Sequence, residues 1–139
     1  MASKEQMDSL FEQARTAADF AYAPYSNFRV GAALLAADGT VFTGCNVENR
    51  SFGLTVCAER NAVFQGVAKG QRNFIALAIS TPDSETPVGP CGACRQVLSE
   101  FMASPAQVRF GGSNGQVDTT MGELLPYDSL HDLKAGFGE

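Results

Sequence analysis

The chain has 139 residues, 45% of them apolar, with 10 Lys plus Arg against 15 Asp plus Glu, a formal net charge of −5. That length suits one domain spanning 1–139, and the composition argues against disorder. The acidic balance argues against a sequence-independent nucleic-acid binder, which needs Lys and Arg to displace counterions from phosphates, and against an anionic membrane surface. There are four cysteines and one histidine, His131, so any site needing two imidazoles is excluded. Nothing resembles a signal peptide, and the longest apolar run, Val30 to Ala37, falls short of the ~20 residues that cross a bilayer. Cysteines without a secretion signal point to reduced thiols or metal ligands and to the cytoplasm.

Ser3 and Gln6 form a capping-box pattern, followed by Met7, Leu10, Phe11, Ala14, Ala17, Ala18 and Ala21 at helical spacing. Pro24 sets the expected end of this helix near Ala23. Phe28 to Ala36 and Thr40 to Val47 are strand-like and joined by Asp38-Gly39, a hairpin signal. Cys57 to Lys69 is expected to be helical, with Ala58, Ala62, Val63 and Val67 on one face. Phe74 to Ser80 is a continuous apolar run, the mark of a central strand buried on both faces. Thr81 to Pro90 carries three prolines and is expected to be a loop. Cys91 to Met102 is a further helix, and 107–110 and 116–119 are a last hairpin, too closely spaced for a parallel crossover. A short turn is expected at Gly122 to Leu125. The order predicts an α/β fold: a three-layer α/β/α arrangement around a five-stranded mixed sheet with its last two strands antiparallel.

The chemistry concentrates in Cys57-Ala58-Glu59 and in Pro90-Cys91-Gly92-Ala93-Cys94. Residues three apart on a helix face the same way, so both sulfurs of the second motif can reach one ion. A catalytic zinc takes three protein ligands and keeps an open position, which Cys57, Cys91 and Cys94 fit. A carboxylate beside it, Glu59, can carry the proton of an activated water. Three thiolates leave the site anionic, and Arg60 and Arg95, each directly after a key residue, are placed to donate hydrogen bonds to sulfur. Cys45 is expected to pack as a small apolar residue, and His131 to lie on the surface. A closed structural zinc site would need a fourth ligand from one of these two, and neither has supporting spacing.

These motifs, with 28–34 (Phe-Arg-Val-Gly-Ala-Ala-Leu), 44–49 (Gly-Cys-Asn-Val-Glu-Asn), 56–60, 90–97 and 123–126, resemble the small homotetrameric zinc-dependent cytidine deaminases. The order Cys-x-Glu, then Pro-Cys-x-x-Cys, is the general signature of zinc deaminases in its three-cysteine form. The resemblance implies hydrolytic deamination of free cytidine and 2′-deoxycytidine to uridine and 2′-deoxyuridine in pyrimidine salvage. It implies one zinc per subunit on Cys57, Cys91 and Cys94, with a zinc-activated hydroxide attacking C4 and Glu59 shuttling the proton. It places Asn46 and Glu48 on the ribose hydroxyls, Phe28 beside the base, and the Ala58 and Pro90 backbones on the base edge. It assigns Asn49 to Phe52 to a substrate loop near a subunit interface, with Phe52 where tyrosine is frequent, and Phe137 to a C-terminal aromatic reaching a neighbouring site. Related polynucleotide editors carry a helix between their last two strands, which the short final hairpin here does not allow. A deaminase of a cytosine-containing nucleoside antibiotic would share the zinc core, but Asn46 and Glu48 favour cytidine.

Overall fold

A computed structural model describes residues 1–128. Helix α1 (Lys4–Ala18) starts at the expected capping box: the Gln6 amide donates to Ser3 Oγ at 3.1 Å and the Ser3 amide to Gln6 Oε1 at 2.8 Å. It stops before the expected Ala23. Asp19, Phe20 and Ala21 tighten to bonds three residues back, and Tyr22 then turns extended to donate its amide to the Asn46 carbonyl at 3.0 Å.

Strands β1 (Gly31–Ala36) and β2 (Val41–Cys45) form the Asp38-Gly39 hairpin, with Gly39 at φ +95°. Both are shorter than expected. Residues 28–30 lie outside β1 because their backbone groups are taken by a side chain, that of Asn46. Helix α2 (Ala58–Ala68), strand β3 (Phe74–Ser80), helix α3 (Gly92–Ser99), strands β4 (Gln107–Gly111) and β5 (Gln116–Thr120) and the one-turn α4 (Met121–Leu124) follow. A 3₁₀ turn covers Phe52–Leu54. Helix α3 ends three residues before the expected Met102, and the Phe101 carbonyl accepts the Phe74 amide at 2.9 Å instead.

The sheet order is β2-β1-β3-β4-β5. Only β3 and β4 are parallel; β4 and β5 are antiparallel, as the short connection requires. The central strand β3 is the apolar run the sequence marked. Strand β1 alternates between two cores: Ala33 and Leu35 meet α1, while Ala32 and Leu34 meet the α2/α3 side. These two cores on opposite faces make the three layers. A bulge pairs Leu35 with Ala76 but Ala36 with Phe74. The skipped Ile75 lets Phe74 face the α2/α3 core although Ala76, two residues on, faces α1. There Phe74 meets Phe42 and Phe101 edge-on, at centroid distances of 6.3 and 6.2 Å. Among the described residues no helix is long and apolar enough to cross a membrane.

Candidate active site

Parallel β3 and β4 open at their carboxyl ends towards the N-termini of α2 and α3, the place where open α/β sheets bind ligands. Cys57 and Cys91 are the N-caps of α2 and α3, both in extended conformation. Cys91 is thus outside the helix rather than on its face, and the expected same-face geometry gives way to a capping one. The Cys94 amide donates to Cys91 Sγ at 3.4 Å, and this brings the two sulfurs to 3.3 Å. Cys57 Sγ lies 3.8 Å from Cys91 Sγ, and all three sulfurs fall within 4.8 Å of one another. Cys45 is not among them.

A tetrahedral zinc with bonds of ~2.3 Å has ligand–ligand edges of ~3.8 Å, so the trio fits a zinc ion. The charges fit as well. A hydrogen bond with Cys94 draws the Cys57 thiol down to about 5, with a further contribution from Arg60, while the partnership with Cys57 raises Cys94. Cys57 and Cys94 are thus shifted in opposite directions, and a divalent cation replaces thiol protons. Arg60 Nη2 donates to Cys57 Sγ at 3.3 Å, and its buried Nε has no acceptor among the described residues. Arg95 departs from the expected sulfur contact. Its Nε donates to the Pro90 carbonyl at 2.8 Å and its Nη1 to the Leu124 carbonyl at 3.0 Å.

Glu59 follows in the first turn of α2 and is 4% exposed. Burial pushes its carboxyl up to about 7. It lines a cavity of about 180 Å³ with Phe28, Asn46, Cys57, Ala58 and Cys91. Ile79 and Thr81 from the end of β3 complete one wall. Pro90 is buried beside this cavity, held through its carbonyl by Arg95.

Asn46 is 7% exposed. Its Nδ2 donates to the Phe28 carbonyl and its Oδ1 accepts the Val30 amide, both at 2.8 Å. Glu48 lies on the other side of a bridge that pairs Val47 with Tyr22 and Val56. Its Oε1 accepts the Tyr25 and Ser26 amides at 3.0 and 3.1 Å. Glu48 and Phe52 line a second cavity of about 400 Å³ with Tyr25, Ser26 and Thr55, and Thr55 lines both. Phe52 is 73% exposed and meets Tyr25 edge-on at 5.8 Å. Asn49 is exposed and caps Ser51 through its Oδ1 at 2.9 Å. Neither Asn49 nor Phe52 lines the smaller cavity. Phe137 and His131 lie outside the described residues.

Residues 4–110 match the model of the cytidine and deoxycytidylate deaminase zinc-binding region. The chain belongs to the cytidine deaminase family. A cytidine deaminase of Sporosarcina psychrophila is 48% identical over 121 residues, 86% of this chain and 88% of that protein. One from Halalkalibacterium halodurans is 48% identical, covering 84% and 89% of the two chains. The crystal structure of cytidine deaminase from Burkholderia pseudomallei superposes with a TM-score of 0.83 at 48% identity, over 87% of this chain and 97% of that one. This family member is an enzyme, a hydrolytic deaminase, and one zinc ion per chain is its cofactor.

Proposed function

We propose that residues 1–139 act as one domain that converts cytidine and 2′-deoxycytidine to uridine and 2′-deoxyuridine with release of ammonia. The observation that carries this reading is the convergence of Cys57, Cys91 and Cys94 with buried Glu59 on a cavity that also holds Phe28 and Asn46. Cys57, Cys91 and Cys94 hold the zinc, which when bound acidifies water and adds positive charge beside the reacting carbon. Glu59 takes a proton from the attacking water and delivers it to ring N3. A C4–O bond forms as the ring N3 is protonated. Glu59 then takes the remaining proton from the new C4 hydroxyl and passes it to the exocyclic amine; the C4–N bond breaks, ammonia leaves and C4 keeps a carbonyl oxygen. Glu59 does this from an environment that excludes bulk water, where proton transfer is directed.

Phe28 lies against the base, and the backbones of Ala58 and Pro90 meet its polar edge. Asn46 and Glu48 hold the sugar hydroxyls, the base entering the smaller cavity and the sugar extending towards the larger. The antiparallel β4/β5 pair and the net charge of −5 support a free nucleoside over a nucleic-acid polymer. The role is salvage of pyrimidine nucleosides in the cytoplasm. The active form is a homotetramer, with Asn49 to Phe52 and Phe137 at subunit contacts; exposed Phe20, Tyr22, Phe52 and Leu54 are suited to such contacts.

Zinc content measured alongside the loss of cytidine absorbance tests the reading. Wild type is expected to carry one zinc and to turn over, while Glu59→Gln keeps its zinc and loses activity by at least ~10²–10⁴-fold. Near-normal turnover by that variant refutes the mechanism.

A further inference from the structure

Ser26 has no metal-binding or acid–base pattern around it, yet its side chain joins the two halves of the site. Its hydroxyl donates to Glu48 Oε2 in a short hydrogen bond. The same oxygen accepts the Phe28 amide at 3.0 Å. A hydroxyl has one proton, and here that proton is spent on Glu48 while a lone pair is spent on Phe28. Asn27, between them, adopts φ +58°, a left-handed conformation that asparagine tolerates, and this fold-back is what returns the Phe28 amide onto Ser26.

The acceptor arithmetic at Glu48 is specific. An ionised carboxylate has about four lone-pair sites. Two on Oε1 are filled by the Tyr25 and Ser26 amides and one on Oε2 by the Ser26 hydroxyl. Among the described residues one site remains, on the oxygen that Ser26 orients. Glu48 and Ser26 line the larger cavity, whereas Phe28 lines the smaller one beside Glu59.

We propose that Ser26 is a positioning residue for substrate: through one hydroxyl it aims the free acceptor site of Glu48 at a single sugar hydroxyl and sets Phe28 against the base. This rests on the cytidine reading above. Ser26 touches neither the sulfurs nor Glu59, so its effect falls on binding rather than on the chemical step.

Steady-state kinetics on cytidine, with zinc content and thermal unfolding, test this for Ser26→Ala, Ser26→Thr, Glu48→Ala and the double variant Ser26→Ala/Glu48→Ala. Wild-type turnover of cytidine is the control on the underlying reading; if it is absent, that reading fails first. With it present, Ser26→Ala is expected to raise KM about tenfold, the loss of one hydrogen bond to a charged group, with kcat and zinc unchanged. Ser26→Thr, which keeps the hydroxyl, is expected to restore KM to within about threefold of wild type, since it retains that bond. The double variant is expected to lose less than the product of the two single defects, because part of the effect of Ser26 passes through that carboxylate. An unchanged KM in Ser26→Ala overturns the proposal, as do equal defects in the Ala and Thr variants or additive losses in the double variant. Zinc loss or unfolding in step with lost activity makes Ser26 merely structural and overturns it too.

Discussion

Two sulfurs at helix N-caps and a third in the first turn of α3 are electrostatically demanding, and Arg60 is the residue that meets the demand. Its Nη2 reaches Cys57 Sγ at 3.3 Å, and that partnership raises the already high guanidinium pKa. Such outer partners commonly carry 10–100-fold in metal affinity or activity. Arg60→Ala is therefore expected to lower kcat about tenfold while zinc is retained or modestly weakened, read by turnover and metal content together. Unchanged turnover would mean that the sulfur charge is balanced elsewhere. The sulfur trio was legible because soft ligands at those spacings have few other uses. Arg95 was not: adjacency in sequence placed it near sulfur, but the direction of its side chain is set by the carbonyls of Pro90 and Leu124. Ser26 was invisible, since a serine after Tyr25 reads as an ordinary turn residue until Glu48 is brought beside it.

At the scale of elements, apolar patterning and turn signals located every α-helix and strand among the described residues, but not the 3₁₀ turn at Phe52–Leu54, and tertiary pairing moved the ends. Residues 28–30 have strand-like composition, but Asn46 holds their backbone groups with its side-chain amide. The same segment is clamped from the other side by Arg29, whose Nη2 meets Asp83 Oδ1 at 2.8 Å. Helix α1 must approach β1 closely, and Gly31 is what allows it. A Cβ there would stand 1.9 Å from the Ala14 carbonyl oxygen and 2.5 Å from the Ala18 amide nitrogen. Both are backbone atoms with no freedom to swing aside. Gly31→Ala is expected to destabilise by at least the ~1–3 kcal/mol of an overpacked core, seen as a lower urea midpoint. A midpoint within error of wild type would show that α1 shifts without cost.

The whole molecule carries a set of carboxylates more acidic folded than free. Lys4, and then Arg109, hold Asp8 below its ordinary 3.8; Arg29 does the same for Asp83, and backbone and side-chain bonds from Thr40 for Asp38. The nearly buried Arg109 ties α1 to β5 through 2.7 Å contacts with Asp8 and Asp118. In each lowered group the unfolded chain binds the proton more readily. Its contribution is thus complete above the ordinary carboxylate value and is lost as the pH falls through the depressed one. Urea midpoints are expected to drop as the pH falls from 4 to 2.5; a flat profile over that range would contradict this. The sequence by itself determined the layered α/β fold and the sulfur trio, because donor chemistry and apolar periodicity are local properties of the chain, and its motifs carried the resemblance to the family. Only the tertiary structure decided how Ser26, Asn46 and Glu48 interlock, where Arg95 points and which residues share a cavity. Those depend on side-chain directions and on contacts between distant segments, such as Phe28 and Cys91 on one cavity, and no short-range pattern encodes them.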